Sequence, residues 1–410
     1  MPHRNAMFIL IGIIIGAVSG LLVGWLWGAE MVAHPVWKEL LRFGEFFLNA
    51  LKMLIVPLVV AAVVSGVASL GDVRRLGKLG GTTVAYFVAT TAAAVLMGLL
   101  AVNIMQPGEG MHVTEGAAAG MAAKSTGIAD LVLSLVDPNI VAAAAGGKFL
   151  PLIVFSIVLS AALTTVGRRG EHVIEFFNGI NEAMMKLVIW LMYLAPLGIF
   201  ALIVQRLGNA GGGDAFWLEV KAVGAYVLTV LLGLTLHFCV LVAILVFVGR
   251  RGPGYIAGMA RALFTAFGTA SSTATLPLTM ECARENGIGP RATRFVLPLG
   301  STINMNGTAL YEAVAVLFMA QAYGLDLTFG QQAVVFVTAS LAAVGAAGIP
   351  EAGLVTMVIV LNAVGLPLDG IALILAVDWF LDRFRTAVNV WGDAVGAAVV
   401  DRLVPSIEKD

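Results

Sequence analysis

The stretch Asp378-Trp-Phe-Leu-Asp-Arg-Phe-Arg-Thr-Ala-Val-Asn-Val-Trp-Gly-Asp393 lies inside a long apolar run near the C-terminus, from residue 371 to residue 400. The run is long enough to span a membrane, yet it carries several charged side chains: Asp378, Asp382, Arg383, Arg385 and Asp393. Each charge placed near the middle of a bilayer costs about 2.5–3.5 kcal/mol on insertion scales. We therefore expect these groups to face protein, water or a ligand, and not lipid.

Five polar residues of this stretch share one face of the predicted helix. They are separated by 4, 3, 4 and 4 positions, in the order Asp378, Asp382, Arg385, Asn389 and Asp393. At about 100° per residue, this spacing confines them to a sector about 80° wide. Arg383 falls outside that sector. We call the five residues the polar stripe.

The sequence leaves two interpretations of the polar stripe open. In the first, Asp378 or Asp382 pairs with Arg385 for purely structural reasons. In the second, the stripe binds a zwitterionic solute with an extra acidic group, together with a cation. Asp382 would then bind an ammonium group, Arg385 a carboxylate in bidentate fashion, and Asp393 a hard cation.

The composition of the whole chain indicates a polytopic α-helical membrane protein. Of its 410 residues, 60% are hydrophobic and 12% are charged, and the mean hydropathy is +0.96. A soluble globular chain is closer to about a quarter charged. The formal net charge of −1 gives no reason to expect a nucleic-acid partner. Cys239 and Cys282 provide neither a disulfide framework nor a C-x-x-C metal motif.

The first two thirds of the chain contain apolar segments that we interpret as membrane spans. They cover residues 7–27, 46–70, 82–105, 131–166 (broken in the middle), 183–204 and 220–248. Basic pairs mark the connections on one side, which the positive-inside rule assigns to the cytoplasm: Arg74-Arg75, Arg168-Arg169 and Arg250-Arg251. We expect a multi-pass protein with both termini in the cytoplasm.

Beyond residue 261 the apolar segments are interrupted in their middles, at residues 268–277, 300–308 and 345–353. Basic residues flank segment 262–280 on both sides, so we interpret it as a hairpin that opens to the cytoplasm. Segment 331–361 would be a second hairpin that opens from the outside. Simple kinks are the alternative. Hairpin–span units of opposite orientation form an inverted repeat, whose ligand site lies near the midplane.

Four motifs follow one another in the C-terminal third. They are Gly268-Thr-Ala-Ser-Ser-Thr-Ala-Thr-Leu-Pro277, Asn304-Met-Asn-Gly-Thr-Ala-Leu-Tyr-Glu312, Ala346-Ala-Gly-Ile-Pro-Glu-Ala-Gly353 and the stretch 378–393. Together they resemble the glutamate/aspartate transporters of the dicarboxylate/amino acid:cation symporter family. The resemblance is densest over residues 265–400. It implies an all-α membrane protein with eight transmembrane helices and two re-entrant hairpins, which works as an elevator-type transporter and not as an enzyme.

The resemblance also implies how the chain is organised and where it works. Residues 1–81 and 107–219 would form a fixed scaffold, and residues 82–106 and 220–410 a transport domain that slides through the lipid bilayer. The scaffold would assemble a homotrimer in the plasma membrane, or in the inner membrane of a bacterial cell. The substrate would be an acidic amino acid, L-aspartate or L-glutamate, taken up with sodium ions, and with protons if Glu312 carries one.

Substrate-binding residues carried over from the resemblance lie on both hairpins and on the last two spans: Ser271, Ser272, Thr308, Ile349, Gly353, Asp382, Arg385, Thr386 and Asn389. The two serines and Asn389 would bind the α-carboxylate. Asp382 would bind the ammonium group, and Arg385 with Thr308 the side-chain carboxylate. The second hairpin would act as the outer gate.

Two or three sodium sites are implied in the same way. The first comprises Asp393 and carbonyl groups of Gly300, Asn304 and Asn389. The second comprises carbonyl groups around Thr302, Ala343, Val344 and Ala346. The third comprises Thr90, Thr91, Asn304 and Asn306. No organic cofactor is implied.

This chain departs from the family pattern at the third sodium site. Asn306 stands where the family carries an aspartate, and Phe87 where it carries a tyrosine. Loss of a carboxylate removes a full charge from a cation site, so we expect fewer than three sodium ions per cycle. Glu312 matches a glutamate of the proton-coupled members, and we expect it to carry a proton. Glu351 places an unusual acid at the outer gate.

Other functions are compatible with parts of the pattern. An anion channel or a C4-dicarboxylate transporter of the same fold is the alternative to an amino-acid symporter. A channel needs no intact pocket, whereas Asp382 and Arg385 are retained. An intramembrane aspartyl protease needs two acids that converge from separate elements, whereas Asp378 and Asp382 share one helix.

Overall fold

The computed structural model describes residues 2–71, 77–111, 132–209, 214–344, 346, 352–367 and 371–404. Within these ranges the regular structure is helical, and no β-strand occurs. Four described segments are long and apolar enough to cross a membrane: Ile11–Ala33, Pro35–Ala68, Gly77–Met105 and Trp217–Gly249. The prediction of an all-α polytopic membrane protein is confirmed.

The N-terminal half forms the helices α1 (Pro2–Ala33), α2 (Pro35–Leu41), α3 (Phe43–Ala68), α4 (Gly77–Met105), α5 (Ile140–Ala145), α6 (Phe149–Thr165), α7 (Arg168–Met192) and α8 (Ala195–Asn209). The span predicted at residues 131–166 is broken between α5 and α6, where Gly147 takes a positive φ of 66°. The break predicted there is confirmed, because a left-handed residue cannot continue a helix.

The segment predicted as a span at residues 183–204 is interrupted by a bend of 58° between α7 and α8. Pro196 lies in the first turn of α8. Its nitrogen has no hydrogen to donate to the carbonyl group of Met192, and its ring restricts the preceding residue. The pattern of apolar residues continues through this point, so it did not reveal the bend.

The C-terminal half forms α9 (Asp214–Ile244), which continues as a π-helical turn (Leu245–Gly249), followed by α10 (Pro253–Thr269), α11 (Ser272–Glu285), α12 (Pro290–Ile303), α13 (Asn306–Ala322), α14 (Phe329–Val344), α15 (Ala352–Ala363) and α16 (Ile371–Leu403). Three breaks lie inside the predicted interrupted segments: between α10 and α11, α12 and α13, and α14 and α15. By contrast, α16 runs without a break through the whole polar stripe.

The first of these breaks is shorter than the predicted range of 268–277. Ala270 takes a left-handed conformation with φ of 49° and ends α10, and Ser271 directly caps α11. Pro277 lies inside α11. The turn therefore needs two residues, because a left-handed residue followed by an N-capping serine reverses the chain at once.

Helix α1 packs along α8 through a series of glycines at every fourth position. They are Gly12, Gly16, Gly20, Gly24 and Gly28. A β-carbon at Gly16 would stand 2.3 Å from the carbonyl oxygen of Pro196. Small residues at this spacing allow two backbones to approach closely, which is the usual way that helices associate inside a membrane.

The helices pack in two groups. In the first group, α3 contacts α6, α7 and α8, and α8 contacts α1. In the second group, α4 contacts α9 and α13, and α16 contacts α9, α10, α12 and α13. We call them the α3 group and the α16 group. The polar stripe is therefore enclosed by the broken helices of its own group.

Candidate functional site

Arg385 is fully buried at the centre of the polar stripe, between two carboxylates of its own helix. Its Nη2 donates to Asp382 Oδ1 at 2.7 Å, and its Nη1 lies 2.9 Å from Asp378 Oδ1. The second contact is an ion pair whose angles fall outside hydrogen-bonding geometry. The guanidinium carbon also lies 4.0 Å from the ring centroid of Tyr311 on α13. The pairing predicted by the structural interpretation is therefore present.

Two glycines allow the neighbouring helices to pack directly against Arg385. A β-carbon at Gly353, in the first turn of α15, would stand 2.5 Å from Arg385 Nη1. A β-carbon at Gly307, in the first turn of α13, would stand 2.6 Å from the Arg385 carbonyl oxygen. A side chain at either position would displace the arginine or its backbone. The second hairpin and α13 thus close directly over the buried ionic cluster.

Asn389 links α16 to the beginning of α13. Its Oδ1 accepts a hydrogen bond from the backbone N–H of Gly307 at 2.7 Å, and its Nδ2 lies 3.3 Å from Thr308 Oγ1. Thr386, one turn earlier on α16, is buried as well. The structure thus places Asn389 beside Thr308, and Thr386 and Arg385 within one turn of Asn389 on the same buried helix.

The tip of the first hairpin is tied to α16 by Arg383. Its Nη1 donates to the carbonyl oxygens of Phe267 at 3.1 Å and Gly268 at 2.9 Å, near the C-terminal end of α10. Ser271 Oγ accepts from the backbone N–H of Ala274, and both Ser271 and Ser272 are buried. A cation at the C-terminal end of a helix satisfies carbonyl groups that lack partners.

Asp393 lies against the C-terminal end of α12, where the Gly300 carbonyl oxygen accepts from the backbone N–H of Asn304 at 2.9 Å. A β-carbon at Gly300 would stand 2.3 Å from Asp393 Oδ1, and Asn304 Nδ2 donates to the same oxygen at 2.9 Å. A carboxylate beside helix-terminal carbonyl oxygens is a ligand set that suits a hard cation. The residues of the first predicted cation site are therefore neighbours.

The residues of the second predicted cation site lie at two helix ends that meet beside α3. Thr302 is in the last turn of α12, Ala343 and Val344 end α14, and the N–H of Ala346 donates to Ala343 O at 3.2 Å. The ends of α12 and α14 meet at Gly66 on α3. A β-carbon added at Gly66 would stand 3.0 Å from Ile303 and 3.8 Å from the Val344 carbonyl oxygen. Ile349 lies outside the described residues.

The third group of predicted ligands also comes together, but its oxygens are engaged. Thr91 Oγ1 donates to Asn306 Oδ1 at 2.8 Å, and Thr90 Oγ1 lies 3.4 Å from Asn304 Oδ1. Asn306 Nδ2 is buried and has no hydrogen-bond acceptor among the described residues. Phe87 is buried beside them and contributes no oxygen. An amide nitrogen faces this site where a cation would need a negative group.

Glu312 is a fully buried acid on α13. The polar groups that act on its carboxyl group are Thr356 on α15 and Arg385 on α16. It therefore lies at the contact between α13 and the second hairpin, close to the polar stripe.

Some contacts of the site were missed by the sequence analysis. Tyr311 carries Arg385 on its ring face, Gly307 gives close backbone approach, and Arg383 binds the first hairpin. Each of these residues had a weak signal in the sequence. Tyr311 and Gly307 lie within one of the four motifs, and Arg383 is a charged residue outside the polar stripe. None of these signals says which element the residue meets.

The paired hairpins, the broken helices and the buried ionic stripe are those of a secondary transporter. Residues 6–403 match the sodium:dicarboxylate symporter family, and the chain belongs to that family. The chain is 38% identical to excitatory amino acid transporter 1 of Ambystoma tigrinum, over 97% of its own length and 82% of that protein. It is 38% identical to human excitatory amino acid transporter 3, over 95% of its own length and 85% of that protein.

A relative from Caenorhabditis elegans, an excitatory amino acid transporter, is 37% identical over 97% of this chain and 88% of its own length. The similarity therefore covers both the α3 group and the α16 group, and not just the four C-terminal motifs. The family resemblance seen in the sequence is confirmed. The family consists of transporters, so the prediction that the chain is not an enzyme is confirmed too.

Proposed function

We propose that the chain is a secondary active symporter that takes up L-aspartate or L-glutamate together with sodium ions. The observation that carries this proposal is the fully buried guanidinium of Arg385, held between Asp382 and the backbone of Gly353. A buried guanidinium can bind the side-chain carboxylate of an acidic amino acid in bidentate fashion. Asp382 can bind the ammonium group, which a C4-dicarboxylate lacks.

The remaining polar groups orient the substrate backbone. Asn389 and Thr308 already share a hydrogen bond beside Arg385, and the serines at the tip of the first hairpin supply hydroxyl groups from the opposite side. Substrate binding exchanges the contacts of Arg385 with its own helix for contacts with a ligand carboxylate. The second hairpin, including Gly353 and Ile349, covers the site as a gate.

The charges of the site explain why uptake is coupled to cations. The polar stripe carries three buried acids, Asp378, Asp382 and Asp393, against the single base Arg385. An acidic amino acid adds one more negative charge to a region of low dielectric constant. Uncompensated buried charge is strongly unfavourable, so substrate and cations bind best together. Sodium ions at the Asp393 site and at the α12 and α14 ends supply the compensation.

The third cation site is the weakest of the three in this chain. Asn306 offers an amide oxygen that Thr91 already occupies, and it brings a nitrogen donor in place of a carboxylate. Affinity for hard cations follows the number and charge of oxygen ligands. We propose that two sodium ions accompany the substrate, and that Glu312 carries a proton as a further positive charge.

The two packing groups support the proposal that one part of the protein is static and the other moves. The α3 group would be the scaffold (residues 1–81 and 107–219), and the α16 group the transport domain (residues 82–106 and 220–410). The scaffold would hold a homotrimer together in the plasma membrane or a bacterial inner membrane, with both termini in the cytoplasm. Substrate and ions would cross the bilayer with the transport domain, as in an elevator.

Uptake of radiolabelled L-aspartate into proteoliposomes tests the proposal. Gradients of sodium ions, protons and potassium ions are imposed separately, and unlabelled L-glutamate, L-serine and succinate are used as competitors. We expect uptake to require an inward sodium gradient and to be inhibited by L-glutamate but not by L-serine or succinate. Uptake of succinate in place of L-aspartate would identify a dicarboxylate transporter. Uptake that ignores the sodium gradient would refute sodium coupling.

A further inference from the structure

A cavity of about 500 Å³ lies between the α3 group and the α16 group. Leu21 of α1 and Leu207 of α8 line one side, Val223 and Val227 of α9 another, and Ala376 of α16 closes it near the polar stripe. These walls are apolar. The cavity thus joins the two groups at a place that the substrate site does not use.

One charged side chain interrupts the apolar walls of the cavity. Glu219 lines it with 7% of its surface exposed, and its Oε1 accepts from Arg206 Nε at 2.9 Å. Its Oε2 is buried and has no hydrogen-bond partner among the described residues. A buried carboxylate oxygen without a donor is costly, so an occupant that donates a hydrogen bond is favoured.

From two tryptophans we infer that the charged pair lies at the depth of lipid headgroups. Trp25 of α1 and Trp217 of α9 meet edge to face, with ring centroids 6.3 Å apart. Tryptophans concentrate where membrane meets water, and Glu219 follows Trp217 by two positions at the start of the apolar segment Trp217–Gly249. From Glu219 to Val227 the helix runs roughly 12 Å deeper into the hydrocarbon layer.

Gly224 keeps the cavity open. A β-carbon at this position would meet no atom within 4 Å, whereas a β-carbon at Gly98 of α4 would stand 2.8 Å from the Leu310 carbonyl oxygen. Gly98 therefore serves close helix packing, and Gly224 does not. A glycine inside a helix is destabilising relative to alanine. At Gly224 the lack of a side chain provides space.

We propose that this cavity binds a phospholipid whose headgroup carries both a phosphate and a primary ammonium, as in phosphatidylethanolamine. The ammonium donates to the carboxylate of Glu219, and the terminal nitrogens of Arg206 donate to the phosphate. An acyl chain fills the apolar part between α1, α8, α9 and α16. A quaternary ammonium has no hydrogen to donate, so phosphatidylcholine satisfies the headgroup site less well.

Native mass spectrometry of the full-length protein in detergent tests this site. The protein is titrated with phosphatidylethanolamine, phosphatidylcholine and phosphatidylglycerol that carry the same acyl chains. One charge-assisted hydrogen bond contributes enough to make the ethanolamine lipid bind about tenfold more tightly than the other two. Glu219→Gln should reduce this lipid to the affinity of phosphatidylcholine.

The variant Gly224→Leu fills the cavity and should weaken binding of the ethanolamine lipid by at least about tenfold. Gly179→Leu on α7 is the matched control, because Gly179 is also a helical glycine whose β-carbon would meet no atom within 4 Å. Equal binding of the three lipids to the unmodified protein would overturn the headgroup assignment. Unchanged binding to Gly224→Leu would overturn the cavity assignment. If Glu219→Gln does not fold, the comparison of lipids on the unmodified protein decides.

Discussion

Gly353 and Arg385 are packed so closely that a side chain on the glycine would displace the guanidinium. A β-carbon on Gly353 would stand 2.5 Å from Arg385 Nη1 and 2.9 Å from Cζ. The glycine belongs to the second hairpin and the arginine to the longest helix of the α16 group. A ligand that moves the guanidinium would therefore also move the hairpin backbone.

Gly353→Ala should weaken L-aspartate binding by at least about tenfold, because the added methyl group forces the hairpin away from Arg385. Isothermal titration calorimetry with purified protein measures the effect. Gly254→Ala is the matched control: Gly254 is likewise the second residue of its helix, and a β-carbon there would meet no atom within 4 Å. Equal affinities of the two variants would contradict the contact as a part of the site.

Arg385→Cys should abolish uptake of L-aspartate and admit neutral amino acids such as L-serine. The substitution leaves Asp378 and Asp382 buried without their base, which costs about 3–5 kcal/mol and can unfold the protein. The double variant Arg385→Cys with Asp378→Asn relieves part of that cost and separates specificity from folding. Competition assays in proteoliposomes measure the affinities for both L-aspartate and L-serine. Unchanged L-aspartate affinity in either variant would show that Arg385 does not bind the substrate.

Asp393→Asn should raise the sodium concentration needed for half-maximal L-aspartate binding by about tenfold or more, because one formal charge leaves the ligand set. Asp401→Asn on the same helix is the control, since Asp401 accepts from the backbone of Gly289 and pairs with Arg251, away from the stripe. A variant with normal sodium dependence but reduced thermal stability would instead show that Asp393 is a structural counter-ion.

Asn306→Asp should steepen the sodium dependence of L-aspartate binding, raising the Hill coefficient by about one. The new carboxylate removes the unpaired amide nitrogen and restores a charge beside Thr90 and Thr91. Asn103→Asp at the exposed end of α4 is a control for an added charge. A reversal-potential measurement that gives three sodium ions per aspartate in the unmodified protein would refute the two-sodium proposal.

Glu312→Gln should make uptake independent of pH. In the unmodified protein, loss of the proton at alkaline pH leaves a charge on a fully buried carboxyl group, so we expect uptake to fall as the pH rises. Glutamine reproduces the neutral form and should sustain uptake at alkaline pH. Sodium-driven uptake is measured from pH 6 to pH 9 in steps of about one pH unit to test this expectation. A parallel decline in both proteins would exclude Glu312 as the proton carrier.

The sequence predicted the parts of this site that depend on periodicity and local breaks. A spacing of three and four residues placed Asp378, Asp382, Arg385, Asn389 and Asp393 on one face, and they are all buried on α16. Clusters of Gly, Ser and Pro indicated the interrupted helices, because these residues end helices locally. The extent of the first break was overestimated, since Pro277 is accommodated inside α11.

Contacts between elements were beyond the reach of the sequence. The approach of Gly307 to Arg385 and the hydrogen bonds from Arg383 to the end of α10 depend on where two helices meet. The same holds for the cavity at Gly224, because an empty space is a property of several helices at once. Helical periodicity gives the direction of a side chain and leaves its partner undetermined.

The unbroken course of α16 has a consequence for selectivity. Asp382, Arg385, Asn389 and Asp393 stand on one continuous helix, so their mutual spacing would stay constant if other helices rearranged. In the proposed elevator mechanism, a ligand would therefore meet the same arrangement of polar groups at the outer and at the inner face of the membrane. Discrimination between ligands would then be the same in both directions of transport, and the ion gradients would set the direction of net movement.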